Sequence, residues 1–244
     1  TTNFNQTYNM YWNDQLNEIT LPSNYHFNNP ETVLSTVGNG QKFDVTYDLE
    51  DENYYTVSGQ VTVNVAKLDG TITVEDQTFT YEEENTGFVI ESTTNHTESS
   101  LEYKYVLNGE LVSSIVNAGT YTVTITLPAT AHYNKAEEVI TVIVNPKAYT
   151  PSVNPSGLTA TYGEQLSSVS LTNDESNKAG IWSWNQTGTV GNAGTNSFQA
   201  TFTPNDTNYA SSTHTLSVVV AKKAVTITIT NNVYDYNGSA RTIT

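Results

Sequence analysis

The 244-residue chain contains no cysteine and a single methionine. Without cysteine, no disulfide framework can hold small domains together, so they depend on packed cores and hydrogen-bond ladders. No run of 18 or more apolar residues occurs, and the sequence therefore predicts no membrane insertion. Stretches with helical spacing of apolar residues behind a start cap are also missing, which indicates an all-β protein.

Basic residues are scarce: nine Lys and Arg stand against 25 Asp and Glu, giving a formal net charge of −16. This balance repels nucleic acid and anionic membranes, so neither is predicted as a partner. The acids gather at 48–52 and 82–84. These clusters could form a calcium site or solvated loops; their spacing differs from that of a calcium-binding loop, which favours solvated loops.

Residues that could carry chemistry are few and dispersed. The four histidines fall in separate segments without ligand spacing, namely His26, His96, His132 and His214. A metal site or a catalytic triad needs two or three such groups to converge. No glycine-rich phosphate loop is present. The sequence therefore predicts no catalytic, cofactor-binding or metal site, no cofactor and no enzymatic activity.

The chain repeats itself. Residues 43–67 recur as residues 198–222 without a gap, at an offset of 155. A middle segment carries the same plan, with a run of alternating β-branched and aromatic residues after a glycine and a second alternating run farther on. Such alternation predicts half-buried strands. It also predicts that Phe43, Tyr121 and Phe198, each shortly after a glycine, are equivalent and buried.

These repeats predict four segments that begin or end at short polar joints. We expect Ig-like β-sandwiches of one subtype at 1–67 and 148–223, a second subtype at 68–147, and the truncated start of another second-subtype domain at 224–244. In the last segment, Val225, Ile227 and Ile229 form the predicted strand. We expect this segment to pair with a sheet edge or to be mobile.

Two further features admit competing interpretations. Trp182 and Trp184 are two residues apart and share a strand face, so they form either core or a sugar-stacking platform; the core is favoured. Intramolecular isopeptide bonds need a buried lysine beside Asn or Asp. The candidate lysines are either out of phase with the core (Lys42 and Lys104) or at strand ends (Lys67 and Lys222), which argues against such a bond.

Residues 101–109 (LEYKYVLNG), 117–123 (NAGTYTV) and His132-Tyr133 resemble the bacterial Ig-like repeat called the MBG domain. Residues 162–166 (YGEQL) and 198–204 (FQATFTP) resemble Ig-like repeats of large Gram-positive surface proteins. The resemblance covers essentially the whole chain. It implies β-sandwiches in a long tandem array, exported to the bacterial cell surface, and it carries no catalytic residues.

The first segment departs from that pattern at Trp12-Asn13, where the repeat has Tyr-Gly, and at Asp48-Leu49, where the third segment has Thr-Pro. Both departures are expected to affect turns and to leave the fold intact.

Together these observations predict tandem Ig-like sandwiches arranged as an extended rod. The predicted function is a non-enzymatic stalk that spaces a distal head from the cell wall, with neighbouring Ig-like repeats as partners. The alternative is an adhesin repeat that itself binds a glycan or a host protein.

Overall fold

The computed structural model describes residues 3–82, 88–228 and 238–240. Two compact units form, Thr1–Asn145 and Pro146–Thr244, and each is described by itself. Strands dominate the described residues, in which the only helical segments are two 3₁₀ turns. This confirms the predicted all-β class, and the repeated sheets described below confirm the tandem arrangement. Within the described ranges, no helix has the length and apolarity needed to cross a bilayer.

The first sandwich is built on a four-stranded sheet with the order β1-β4-β3-β2. Alternating valines of β4 point into a core that is completed by apolar residues of the irregular chain between β1 and β3. A 3₁₀ turn at Leu16–Glu18 lies in that irregular chain. The strands are β1 Thr7–Tyr11, β2 Tyr25–Phe27, β3 Gly38–Tyr47 and β4 Val57–Ala66.

The second sandwich, in the same compact unit, has a five-stranded sheet with the order β10-β9-β11-β13-β7. Ile72, in a short two-stranded pair, belongs to the same core as the sheet residues Val123 and Val142. The strands are β5 Leu68–Asp69, β6 Ile72–Thr73, β7 Gln77–Thr80, β8 Thr93–Thr94, β9 Glu102–Leu107, β10 Glu110–Val112, β11 Gly119–Leu127, β12 Tyr133–Asn134 and β13 Ala136–Asn145.

The third sandwich lies in the other unit and repeats the plan of the first, with the sheet order β15-β19-β17-β16. A second 3₁₀ turn, Leu166–Ser168, corresponds to the one in the first sandwich. The strands are β14 Lys147–Ala148, β15 Leu158–Thr161, β16 Gly180–Trp184, β17 Gly194–Pro204, β18 Tyr209–Ala210 and β19 Ser212–Ala221.

All three sheets share one connectivity. An early strand (β1, β7 or β15) pairs in parallel with the final strand, and the final strand pairs antiparallel with the long strand before it. The final strands end at Ala66, Asn145 and Ala221, where the sequence places its polar joints. The division into three complete domains and a truncated fourth stays a proposal.

The strand register corrects one predicted equivalence. Phe43 pairs with Val61, and Phe198 pairs with Leu216, at the first core position of the final strand. In the second sandwich Val123, and not Tyr121, holds that place opposite Ile140. Both phenylalanines are half-buried, whereas Tyr121 is fully buried. The alignment predicted from the aromatic residues is therefore shifted by two residues. A shift of two keeps the same side chains facing the core, so the alternation of apolar and polar residues does not reveal it.

Tyr121 instead corresponds to Gln41 and Asn196, which lie opposite the central valine of the final strand. Its hydroxyl donates to the carbonyl of Asn117 (2.8 Å). The Gln41 amide donates to Thr36 and Gly38 carbonyls, and the Asn196 amide donates to Val190 and Asn192 carbonyls. In each sandwich, one polar side chain at this register position therefore donates hydrogen bonds to backbone carbonyls at or just before the start of the long strand.

Asn13 stands where the repeat has glycine, and the structure shows why this change leaves the turn intact. Asn13 has a φ of 73°, and Gly163, at the equivalent position, has a φ of 92°. Asparagine is among the few residues other than glycine that enter the left-handed region readily. The turn after the first strand is therefore kept although the glycine is missing.

The described part of the tail, residues 222–228, shows no strand at Val225 and Ile227, where one was predicted. Residues 222–228 have no regular secondary structure, and Val225 and Ile227 are exposed. Ile229 of the predicted strand lies outside the described residues, as do Glu83 and Glu84 of the second acidic cluster.

Candidate functional site

The most concentrated set of chemistry-bearing side chains lies where the first and second sandwiches meet, inside the first compact unit. We call this set the aromatic joint; it consists of Trp12, His96, His132 and Tyr133. Trp12 follows β1, and its backbone N–H donates to the carbonyl of Ala66 (2.9 Å). His132 ends the loop between β11 and β12, Tyr133 begins β12, and His96 follows β8.

The rings of the joint form a continuous stack. Trp12 stacks on His132 with ring centroids 4.2 Å apart, and its ring approaches Tyr133 edge-on at 5.7 Å. His96 stacks on the Tyr133 ring at 4.0 Å. Stacked and edge-to-face pairs of this kind add about 0.5–1.5 kcal/mol each beyond the area they bury. The joint therefore couples the two sandwiches by packing as well as by the covalent chain.

The backbone reinforces the joint. Only Lys67 separates the end of β4 from the start of β5. The N–H of Leu68 donates to the carbonyl of His132 (2.9 Å), and that of Gly70 donates to the carbonyl of Asn134 (3.2 Å). The Lys67 ammonium donates to the carbonyl of Thr130. The connection thus becomes a short strand of the second sandwich as soon as it leaves the first.

Both imidazoles of the joint are already committed to structural partners. Nδ1 of His132 lies 2.9 Å from Oε1 of Glu98, and the carboxylate can only accept, so this nitrogen carries the proton. Nδ1 of the buried His96 accepts from the N–H of Glu98 at 3.2 Å. Hydrogen bonds from Thr130 and His132 hold the pKa of the Glu98 carboxyl below its usual range.

The joint has the chemistry of packing and not of a reaction centre. One ring nitrogen of each imidazole is hydrogen-bonded, and aromatic rings cover the imidazole faces. In the part of the chain that the structure describes, no group of three or more His, Cys, Asp or Glu side chains could hold a metal ion. His26 and His214, the other two histidines, lie in the first and third sandwiches, outside this cluster.

The other residues that the sequence analysis singled out lie apart from the joint. Trp182 is buried against Phe202, and half-buried Trp184 packs on the same core while its Nε1 donates to the carbonyl of Val169 (3.0 Å). Lys42 and Lys104 are exposed, as their strand phase predicts. The prediction that both tryptophans belong to the core, and not to a sugar-stacking platform, therefore agrees with their packing.

Sequence reasoning missed the joint because its members are far apart in the chain. His96 and His132 are 36 residues apart, and Trp12 belongs to a different repeat. The one available signal was the His132-Tyr133 pair, which follows the long strand of the second sandwich at the place where the other repeats carry Asn-Tyr.

An open cavity in the second sandwich is lined by residues 73–79 and 91–93. Its polar groups are largely used within the protein. The Gln77 amide exchanges hydrogen bonds with the backbone of Glu91, and the Asp76 carboxylate accepts from the N–H of Thr141 (2.7 Å). This cavity presents no convergent set of free groups for a ligand.

No family model and no curated protein matches the chain. Among solved structures, immunoglobulin domains 1–4 of Sidekick-1 align over 90% of this chain and 75% of their own, with 11% identity and a TM-score of 0.32. Drosophila OTK extracellular domains 3–5 align over 88% and 94%, with 11% identity and a TM-score of 0.30. Drosophila N-cadherin EC1-3 aligns over 90% and 98%, with 10% identity and a TM-score of 0.29. At these identities and TM-scores, the solved structures assign no function to this chain.

Proposed function

We propose that the chain is a non-enzymatic spacer segment of a bacterial cell-surface protein, in which three Ig-like sandwiches and the start of a fourth hold a distal head away from the cell wall. The observation that carries the proposal is the aromatic joint. A one-residue connection, a parallel strand pair and a ring stack link two successive sandwiches. A segment that spaces other domains needs joints that resist bending, because a flexible linker coils back on itself.

Composition supports the same function. The large negative charge keeps a crowded surface layer soluble, and cysteine-free sandwiches need no oxidation step to fold. Two of the histidines, His96 and His132, and the tryptophan pair could have favoured other functions, but they are used in packing.

The test is a replacement experiment on cells that display the chain between a wall anchor and an epitope-tagged head. We expect replacement of residues 3–223 by a Gly/Ser linker with the same number of residues to reduce antibody access to the head. An unrelated tandem Ig segment of matched length should restore the access. If only the original residues 3–223, and not the unrelated segment, gave antibody access to the head, a spacer function would be contradicted.

The alternative, an adhesin repeat that engages a glycan or a host protein, is tested with the isolated chain. Binding to a glycan array and to immobilised matrix proteins should stay at background for a spacer. Saturable binding that is lost on changing exposed loop residues, with unfolding unaltered, would replace the spacer function by adhesion.

A further inference from the structure

Three Asn-Gly pairs occur in the sequence, at 39–40, 108–109 and 237–238. Asparagine is one of the thermolabile residues, and a following glycine makes it most reactive, because glycine has no Cβ to hinder attack of its backbone nitrogen on the Asn Cγ. Asn39-Gly40 and Asn108-Gly109 are both exposed, whereas Asn237 lies outside the described residues. The two exposed pairs differ in what surrounds the attacking nitrogen.

Asn108 and Gly109 form the whole connection between β9 and β10. Their φ values are 53° and 87°, and Leu107 pairs with Glu110, as in a two-residue hairpin turn. In the described part of the chain, no hydrogen bond occupies the N–H of Gly109. The strand β10 is three residues long and lies at the edge of its sheet, where it pairs with β9 alone. The turn can therefore open at a low cost in free energy.

Asn39 and Gly40 form a bulge in β3, at the register shift opposite Asn64 of β4. The N–H of Gly40 donates to Oδ1 of Asn64 (3.0 Å). Nδ2 of Asn64 in turn donates to Oδ1 of Asn9 (3.0 Å), which fixes the orientation of the Asn64 amide. The hydrogen bond to Asn64 holds the proton on the Gly40 nitrogen and fixes its peptide plane, so it opposes attack of this nitrogen on Cγ of Asn39.

Steric room does not separate the two pairs. Beyond the adjacent residues of the chain, a Cβ placed on Gly40 or on Gly109 would meet no atom within 4 Å. The difference between the pairs therefore lies in the hydrogen bond to Asn64 at one of them and in the freedom of the hairpin turn at the other.

The geometry points to Asn108 as a site of spontaneous deamidation in the folded protein, and to Asn64 as the residue that protects Asn39 from the same reaction. The Gly109 nitrogen bonds to Cγ of Asn108, its proton passes through solvent to the side-chain amide nitrogen, and that nitrogen leaves as ammonia. Water then opens the five-membered imide at one of its two carbonyls, which leaves an aspartate or an isoaspartate. The proposal does not depend on the spacer function.

Both products change the edge of the second sandwich. Each adds a negative charge near Glu110, and isoaspartate also adds a methylene to the main chain of a turn that has only two residues. The longer turn no longer matches the pairing of Glu110 with Leu107, so the pairing of β10 with β9 is weakened. Modification of Asn108 therefore loosens the edge strand β10.

Peptide mapping by mass spectrometry tests the proposal on the full chain, aged in mildly alkaline buffer at physiological temperature. We expect the mass gain of deamidation to appear at Asn108 about fivefold faster or more than at Asn39, since at least one hydrogen bond must break at the second site. In guanidinium chloride the two rates should become equal, because each asparagine then precedes an unrestrained glycine. Asn108→Gly removes the amide and keeps a residue that accepts positive φ, so amide exchange of β10 should rise with age in the wild type and not in this control.

Two substitutions test the protection by Asn64. Asn64→Ala removes the acceptor and should speed deamidation of Asn39 about fivefold, while the rate at Asn108 stays unchanged. Asn64→Asp is the matched control, because its carboxylate still accepts from the N–H of Gly40, and it should leave Asn39 protected. Circular dichroism under the ageing conditions verifies that both variants are folded.

Equal rates at Asn108 and Asn39 in the folded wild type, or a faster reaction at Asn39, would overturn the assignment of Asn108. An unchanged Asn39 rate in folded Asn64→Ala would overturn the protection by Asn64. Should Asn64→Ala not fold, the ratio of the two rates in folded and in denatured wild type decides the question: the same ratio in both states would show that the fold protects neither site.

Discussion

The indole of Trp12 stacks on the imidazole of His132, with ring centroids 4.2 Å apart and 15° between their planes. This contact joins a residue of the first sandwich to a residue of the second within one compact unit. Tyr162 occupies the place of Trp12 in the third sandwich, where its N–H likewise donates to the end of the final strand, but its ring is 51% exposed. The stack is therefore a property of the joint and not of the repeat alone.

Removal of the Trp12 ring should uncouple the first two sandwiches. We expect Trp12→Ala to lower the free energy of unfolding by about 2 kcal/mol and to separate one transition into two, because a half-buried ring and two ring contacts are lost. Tyr162→Ala, the matched control, should change it by less than about 0.5 kcal/mol. Chemical denaturation followed by circular dichroism measures both, and equal effects of the two variants would argue against the joint.

The stability of the aromatic joint should depend on pH through Glu98, and the lowered pKa of Glu98 sets the direction of that dependence. Its folded pKa is lowered by hydrogen bonds from Thr130 and His132, so its contribution is present above the pKa of an unfolded glutamate and is lost as the pH falls through the lowered value. The stability difference between the wild type and Glu98→Gln should therefore be largest near pH 7 and should shrink towards about pH 3. Glu102→Gln, at an exposed strand position, is the control and should show no such trend.

The loss of folding stability on substitution should identify Trp184 as a core residue. We expect Trp184→Ala to cost about 3 kcal/mol through lost packing, and Trp184→Phe to cost about 1–2 kcal/mol because the Val169 carbonyl loses its donor. Ile181→Ala changes an exposed residue of the same strand and should stay within about 0.5 kcal/mol. Thermal unfolding provides the measurement; neutral Trp184 variants that abolish glycan binding would instead support a sugar platform.

Gly180 should tolerate no side chain, although its φ is not in the left-handed region. A Cβ at this position would lie 2.4 Å from Cζ of the buried Phe202 and 2.6 Å from the Thr203 carbonyl oxygen. We expect Gly180→Ala to cost about 2 kcal/mol through displacement of the core. Gly38→Ala, where a Cβ meets nothing within 4 Å, should be close to neutral. Urea denaturation of the two variants side by side tests this expectation.

Local patterns were sufficient for much of the fold. Alternation of β-branched residues located the long strands, because a half-buried strand must place every second side chain in the core. The match between residues 43–67 and 198–222 predicted that the two segments share a plan, and their sheets have the same order and the same parallel edge strand. The aromatic alignment of Tyr121 failed because alternation alone does not distinguish registers two residues apart.

The alternating pattern, the turn residues and the composition by themselves determined that this chain is an all-β protein of repeated strands, since these properties depend on neighbouring residues. Long-range pairing decided the rest. The meeting of Trp12 with His132, and the exposure of Tyr54 where Tyr209 is buried, depend on which strand and which ring arrive from another part of the chain. The Asp-x-Asn-Tyr pattern of residues 51–54 and 206–209 is open in one sandwich and covered in the other, because burial is set by the partner segment and not by the loop.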